Sequence, residues 1–205
     1  MTLNIAARLL CLIALCGFLA TTVTTTVTAE ETEQAASKSQ KKEAPKLREV
    51  KVKDVIFKVP AGWKEETPKS RMRAAQFAIP QAKGDSEKTE LAVFIMPGGG
   101  TFAQNLPRWT REFRSGSLKV KAHKGKCPQG EYTITELTGI HVGSSFAPRP
   151  KPLEKGAMVT LILLKEGRAP YYLKMTGPAN SVKEATKSLR RAIDADVKKE
   201  KPVEL

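Results

Sequence analysis

Hydrophobic positions along the chain repeat every second residue in several short stretches, which is the periodicity of β-strands. Residues 91–96 and 158–164 are apolar at nearly every position, as expected of central strands covered on both faces. The other stretches alternate apolar with polar residues or have one apolar side. The seven predicted strands cover residues 50–53, 55–59, 72–79, 91–96, 132–137, 158–164 and 171–175.

A helical periodicity follows the fourth predicted strand. Apolar side chains recur there at spacings of four, three and four, which places them on one helix face: Phe102, Leu106, Trp109 and Phe113. Pro107 lies inside this pattern and has no N–H to donate. The regular helix is therefore expected either to begin near Asn105 as its N-cap or to kink at the proline.

A second helix is predicted near the end of the chain. Ser181 and Glu184 have the spacing of a capping box, in which each side chain bonds a backbone N–H of the first turn. The apolar residues that follow form one stripe: Val182, Ala185, Leu189 and Ile193. The predicted order is β-β-β-β-α-β-β-β-α. Short turns between sequential strands favour an α+β fold with a mainly antiparallel sheet of about seven strands covered by two helices.

The first 29 residues have the pattern of a signal peptide. Arg8 precedes an apolar stretch at residues 9–20, and the segment ends in small residues at Ala29, after which cleavage is expected. The apolar stretch is shorter than a membrane span, and the mature chain is expected to have no transmembrane helix. Two alternatives remain open, a lipoprotein anchored through Cys16 and an uncleaved anchor. Leu15 stands where lipid-attachment sites prefer a small residue.

The remaining chain is predicted to hold one domain between two polar ends. Residues 30–46 mix both signs of charge without large apolar residues and are expected to form a disordered tether. The domain covers residues 47–195, and residues 196–205 are expected to form a flexible tail. Residues 144–155 are predicted to form a Pro-rich loop that is an insertion, a segment that closes over a site or a contact to a partner.

Several short motifs support a family resemblance. They are PAGW at residues 60–63, SRMRAAQF at 70–77, ELAVF at 90–94, GGG at 98–100, Asn105, Arg108-Trp109, Phe113 and Tyr172…Lys174…Gly177-Pro178. Across residues 57–193 the chain resembles a group of exported bacterial proteins, planctomycete-like in origin, to which no reaction is assigned. More distantly, it resembles the PsbP/Mog1-like fold. The resemblance implies an envelope or secreted protein, and the fold relatives favour a binding or accessory role.

Residues suited to catalysis or metal binding are few. The chain has no G-x-S-x-G, H-E-x-x-H, C-x-x-C or Walker motif. His123, Cys127 and His141 form a conceivable three-ligand metal set, but neighbouring lysines oppose a dication, so we expect neither a metal nor a cofactor. Loss of Cys11 and Cys16 with the signal peptide leaves Cys127 alone, so no intrachain disulfide is expected.

A glycine run between the fourth strand and the first helix is a possible anion site. Backbone N–H groups of Gly98, Gly99 and Gly100 could face an anion, and Arg108 and Arg111 follow on the polar side of the helix. The alternative is a turn whose glycines adopt positive φ to reverse the chain.

The net charge of +14 is unevenly distributed. Residues 48–195 hold 27 cations against 14 anions, and residues 108–126 hold seven cations against Glu112. Those seven are Arg108, Arg111, Arg114, Lys119, Lys121, Lys124 and Lys126. Such a field attracts anionic surfaces, although it could also serve mainly to keep the domain soluble.

The sequence therefore predicts a secreted or periplasmic protein, expected to be a monomer, that acts as a non-catalytic binding or accessory protein of the bacterial cell envelope. The expected partners are an anionic polysaccharide, a lipid headgroup or another envelope protein. Nucleic acid is not expected, because no aromatic platform accompanies the basic residues. The alternatives are a hydrolase acting on an envelope polymer and a structural lipoprotein of the envelope.

Overall fold

The computed structural model describes residues 46–144 and 151–205. The strands are β1 (Leu47–Val52), β2 (Val55–Pro60), β3 (Lys64–Glu65), β4 (Arg73–Ile79), β5 (Thr89–Ile95), β6 (Lys119–Cys127), β7 (Gly130–His141), β8 (Leu153–Leu164), β9 (Tyr171–Pro178) and β10 (Lys201–Pro202). The helices are α1 (Phe102–Thr110), α2 (Ala179–Ala192) and a 3₁₀ helix (Val197–Lys199). The predicted signal peptide, the tether except Lys46 and residues 145–150 of the Pro-rich loop lie outside the described residues.

Eight strands form one sheet in the order β10-β6-β7-β8-β9-β5-β4-β3, and every neighbouring pair is antiparallel. Strands β1 and β2 form a separate antiparallel hairpin. The predicted α+β class, with an antiparallel sheet and two helices, is therefore confirmed. All seven predicted strands are present, whereas β3, β6 and β10 were not predicted. In β6 only Val120 and Ala122 are apolar between charged positions, so its hydrophobic pattern is too weak to indicate a strand.

The central strands are buried on both faces of the sheet. On β8, Leu161 and Leu163 belong to the core formed with α2 and the β1–β2 hairpin, and we call this side the α2 face. Met158 and Ile162, which alternate with them, pack with Trp109 at the end of α1, and we call this side the α1 face. Each such buried side chain contributes about 1.5–3 kcal/mol, which explains the uninterrupted apolar pattern.

Helix α1 begins at Phe102, earlier than the start near Asn105 that was one of the two predicted possibilities. Thr101 is its N-cap and forms a capping box with Gln104. Asn105 lies inside the helix, buried, and its side chain donates to the carbonyls of Gly99 and Thr101, each at 2.9 Å. The box satisfies the backbone N–H groups of Thr101 and Gln104 without Asn105, and Pro107 is accommodated within the helix. Phe113 lies beyond the end of α1 and bridges to His141 of β7.

The predicted capping box of α2 is wrong. The N-cap is Pro178, and Ser181 lies within the first turn. The Ser181 amide and hydroxyl donate to Asp85 at 2.9 and 2.6 Å, so a carboxylate from the β4–β5 turn caps this helix. A full carboxylate near the positive end of the helix dipole is a stronger acceptor than a serine hydroxyl. The predicted stripe is confirmed, since all four of its residues are buried: Val182, Ala185, Leu189 and Ile193.

The structure differs from the flexible tail expected at residues 196–205. The 3₁₀ helix leads into β10, which pairs with β6, and the Val203 amide donates to the Ala122 carbonyl at 2.9 Å. Glu200 accepts hydrogen bonds from Tyr132 and Arg190, both at 2.8 Å. Residues 196–205 are ordered by two kinds of tertiary contact that sequence composition does not predict. The edge of β6 requires backbone partners, and the half-buried Arg190 requires a carboxylate.

Candidate functional site

The predicted basic segment divides between the two faces of the sheet because its second half is strand β6. Val120 packs on the α1 face, so Lys124 and Lys126, at even spacings from it, lie on that side. Lys119 and Lys121 lie on the α2 face, where Lys121 stands opposite Glu136. The four lysines therefore follow one edge of the sheet but do not form one flat patch.

These lysines differ in their ionic partners. Lys126 pairs with Glu131 at 2.9 Å between exposed side chains, which contributes little to stability. Among residues 46–144 and 151–205, no carboxylate forms a salt bridge with Lys119, Lys121 or Lys124. Lys201 of β10 is exposed and pairs in register with Lys124, so two like charges stand side by side. We call Lys119, Lys121, Lys124 and Lys201 the basic edge.

The three predicted arginines lie apart from the basic edge, on α1 and the turn after it. Arg108 donates to Asn105 Oδ1, which fixes its guanidinium against the helix. Arg111 is the C-cap residue of α1 and is exposed. Arg114 is also exposed, and its amide donates to the Ile140 carbonyl at 2.9 Å.

The glycine run forms a tight turn against β9. Gly98 and Gly100 have φ values of 70° and 86°, which favour glycine. A Cβ at Gly99 would stand 2.7 Å from the ring of Tyr172, and the Tyr172 hydroxyl donates to the Gly100 carbonyl at 2.7 Å. The Gly99 amide donates to the Met96 carbonyl. These contacts support the turn and its close packing; anion binding by the glycine amides stays a prediction.

A cleft of about 160 Å³ lies between the end of α1 and the sheet. Its apolar walls come from Met72, Phe94, Met96, Trp109 and Tyr172. Polar groups line it at Arg108, Glu112, Thr160 and Lys174. The cleft is therefore an apolar space about the size of one aromatic ring, with charged side chains in its lining.

A buried ion pair lies beside this cleft. Lys174 Nζ is 2.6 and 2.8 Å from the two carboxylate oxygens of Glu112, and His141 Nε2 is 3.4 Å from Oε2. Glu112 is 6% exposed. Burial alone raises the pKa of Glu112, but hydrogen bonds and charges from His141 and Lys174 outweigh it and hold the pKa below its ordinary value. Glu112 is therefore an ionised carboxylate whose charge is neutralised by Lys174. Such a group is better suited to be a counter-ion than to transfer protons.

Two buried threonines share a cross-strand row of the sheet with Lys174. Thr160 pairs across strands with both Thr135 and Lys174. Both threonines are at most 3% exposed, and within the described part of the chain neither hydroxyl has a hydrogen-bond partner. Thr160 is a lining residue of the cleft, and its unsatisfied hydroxyl is buried just behind the cleft surface.

The structure does not bring the three candidate metal ligands together. His141 contacts Glu112, whereas His123 and Cys127 lie on β6, opposite Ile134 and Gly130. Burial raises the pKa of the Cys127 thiol, which keeps it protonated. No cluster of three or more His, Cys, Asp or Glu side chains suited to a metal occurs in residues 46–144 and 151–205.

Sequence reasoning did not identify the cleft. It noted Glu112 only as the acid in a basic segment, and Tyr172 and Lys174 only as part of a motif. A usable signal was Lys174 itself, because a lysine in the middle of an apolar strand requires a buried counter-charge.

No helix in the described part of the chain is long and apolar enough to cross a membrane.

Comparison with known proteins gives only distant similarities. No protein-family model matches the chain, and neither does any of the curated proteins. Among solved structures, the Ran-binding protein Mog1p of Saccharomyces cerevisiae is 9% identical, with a TM-score of 0.43, and the match covers 73% of this chain and 95% of that one. Mog1p represents one of the folds that the sequence resemblance named.

Two bacterial structures are similar at the same level. LpqN of Mycobacterium tuberculosis, which is involved in cell envelope biogenesis, is 14% identical with a TM-score of 0.36, over 72% of this chain and 82% of its own. A Pseudomonas aeruginosa protein of unknown function is 10% identical with a TM-score of 0.36, over 72% and 94%. Similarities this distant support no conclusion about activity or partners.

Proposed function

We propose that this protein is an exported, non-catalytic binding or accessory protein of the bacterial cell envelope, and that its basic edge binds an anionic polysaccharide. The observation that supports this most is the basic edge itself. It is a row of four exposed lysines, none of which forms a salt bridge within the described part of the chain. The described residues hold 30 cations against 17 anions, so the surrounding field is also positive.

A linear polymer suits this arrangement better than a flat surface does. The basic edge runs from Lys119 to Lys124 on β6, which is about 17 Å of extended strand. Two of its lysines lie on each face of the sheet, and a flexible chain can follow both sides of an edge where a flat bilayer contacts only one. Arg111 and Arg114 are exposed on the α1 side and add to the same field.

The test compares two variants with the same change in net charge. In the first, Gln replaces the four lysines of the basic edge. In the control, Gln replaces four exposed lysines elsewhere: Lys51, Lys64, Lys83 and Lys88. We expect wild-type protein to bind polygalacturonate with an affinity that falls as salt rises, and the first variant to lose about tenfold or more. The control should lose much less.

Each other outcome has a defined meaning. Equal losses in both variants would show that net charge alone drives binding, and would overturn the role of the basic edge. Binding to vesicles containing phosphatidylglycerol, without binding to polygalacturonate, would replace the polysaccharide by a lipid headgroup. Neutral dextran serves as the uncharged polymer control.

Export requires a separate test, because the predicted signal peptide lies outside the described residues. We expect the mature protein to begin at Glu30, as cleavage after Ala29 implies. Intact-mass measurement of protein recovered from the native envelope decides between this form and a lipidated chain beginning at Cys16. A mass that includes acyl chains would favour the structural lipoprotein instead.

A further inference from the structure

We propose that the cleft beneath α1 is a binding site for a small aromatic carboxylate, with the ring against the apolar walls and the carboxylate on Arg108. This site lies on the α1 face and is separate from the basic edge, so it does not depend on the polysaccharide proposal. Three observations support it: the size of the cleft, its uncompensated charge and an unsatisfied hydroxyl in its wall.

The volume of the cleft fits a single ring. Engineered apolar cavities of about 150 Å³ hold one benzene molecule, and this cleft has about 160 Å³. Phe94, Trp109 and Tyr172 supply aromatic walls. Aromatic pairs favour stacked or edge-to-face contact with another ring. Met72 and Met96 complete the walls with unbranched side chains that adapt to the shape of a ligand.

The charge of the lining favours an anion. Lys174 and Glu112 neutralise each other across 2.6 and 2.8 Å, so Arg108 leaves the lining with one positive charge. Arg108 donates one guanidinium N–H to Asn105, which orients the group while other donors of the fork are left for a ligand. A carboxylate is the planar anion that such a fork binds with two hydrogen bonds.

The wall of the cleft also has unused hydrogen-bonding capacity. Thr160 is 3% exposed, and its hydroxyl has no hydrogen-bond partner within the described part of the chain. A buried hydroxyl without a partner is costly, and a ligand substituent or a water inside the cleft would remove that cost. We therefore expect a ring hydroxyl to improve binding.

The experiment uses benzoate, 4-hydroxybenzoate and benzyl alcohol as probes, with titration calorimetry on the folded protein. We expect benzoate to bind with a dissociation constant of about 1 mM, in keeping with its size. Benzyl alcohol, which has the same ring and no charge, should bind about tenfold more weakly. Arg108→Gln should remove this difference, whereas Arg191→Gln, an exposed arginine on α2, should leave it unchanged.

The two tryptophans locate the ligand. Trp109 lines the cleft and Trp63 lies in the core of the α2 face, so only the Trp109 indole N–H signal should shift in NMR spectra. Arg108→Lys keeps the charge without the fork and is expected to bind benzoate with intermediate affinity. Thr160→Val should abolish the advantage of 4-hydroxybenzoate over benzoate.

Several results would overturn the proposal. They are equal affinity for benzoate and benzyl alcohol in the wild type, a shift of the Trp63 signal instead of the Trp109 signal, or equal losses in Arg108→Gln and Arg191→Gln. The comparison of benzoate with benzyl alcohol needs no substitution, so it decides the matter even if Arg108→Gln does not fold.

Discussion

Replacing Lys174 by Met tests whether the buried pair with Glu112 is an energetic feature of the α1 face. The substitution keeps most of the side-chain volume but removes the charge that neutralises a carboxylate only 6% exposed. His141 Nε2, 3.4 Å from that carboxylate, is then the remaining side-chain contact among those described for Glu112. Glu112 must therefore remain as a poorly compensated buried anion or take up a proton.

The expected magnitude follows from the burial of the two partners. Removing one member of a fully buried pair costs roughly 3–5 kcal/mol. The Lys174 side chain is 27% exposed, so water screens part of the interaction, and we expect a loss of about 2–3 kcal/mol. For a domain of this size that corresponds to a fall of about 4–12 °C in Tm. Replacing both partners, with Lys174→Met and Glu112→Leu together, should cost less than the sum of the single changes.

The effect should also depend on pH. In the wild type the lowered pKa of Glu112 means that its stabilisation is present above the ordinary pKa of 4.5 and is lost as pH falls through the lower folded value. In Lys174→Met, burial acts with less opposition and raises the pKa of Glu112, so acidification relieves the buried charge. The stability difference between the two proteins should therefore be smaller at pH 4 than at pH 7.

Urea unfolding followed by circular dichroism measures the free energy of unfolding for the four proteins of this cycle. A loss below about 0.5 kcal/mol in Lys174→Met would refute the reasoning, since surface substitutions reach that value. Strict additivity in the double variant would refute it equally, because the two side chains would then not interact.

Three further predictions concern positions where the structure departs from simple sequence rules. Thr135→Val should raise the free energy of unfolding by about 1 kcal/mol, because it removes a buried hydroxyl without a partner in the described structure; an unchanged value would indicate a bound water. Asp85→Ala should lower it by about 1 kcal/mol through loss of the α2 cap, as measured by urea unfolding, and Ser181→Ala should then add little. Deletion of residues 196–205 should cost about 2–3 kcal/mol because Arg190 and Tyr132 lose Glu200; thermal unfolding at the wild-type Tm would contradict this.

Sequence periodicity was sufficient for the strands that are buried on one or both faces. Residues 158–164 form part of β8 because two cores, one with α2 and one with α1, cover both of their faces. The hydrophobic pattern reports such burial directly. It failed at β6, which lies next to the two-residue edge strand β10 and is stabilised by backbone pairing to β7 and β10 rather than by apolar side chains.

The helix starts show a different limit. The sequence pattern at Ser181 and Glu184 satisfies the local capping rule, yet Asp85, 96 residues away, supplies the acceptor. The capping-box rule considers only residues close together in sequence. It therefore cannot identify an acceptor that the fold brings to the helix end from a distant turn. At α1 the local rule did apply, but through Thr101 and Gln104 rather than Asn105.

By itself the sequence determined the α+β class, the central strands, the two helices and the positive charge of the domain, because these depend on composition and on periodicities of two and 3.6 residues. Only the tertiary structure decided how that charge is arranged. It divided the lysines of β6 between two faces, placed Arg108 at an apolar cleft and paired Glu112 with Lys174, 62 residues apart. Such contacts depend on strand order and register, which periodicity within a single segment does not specify.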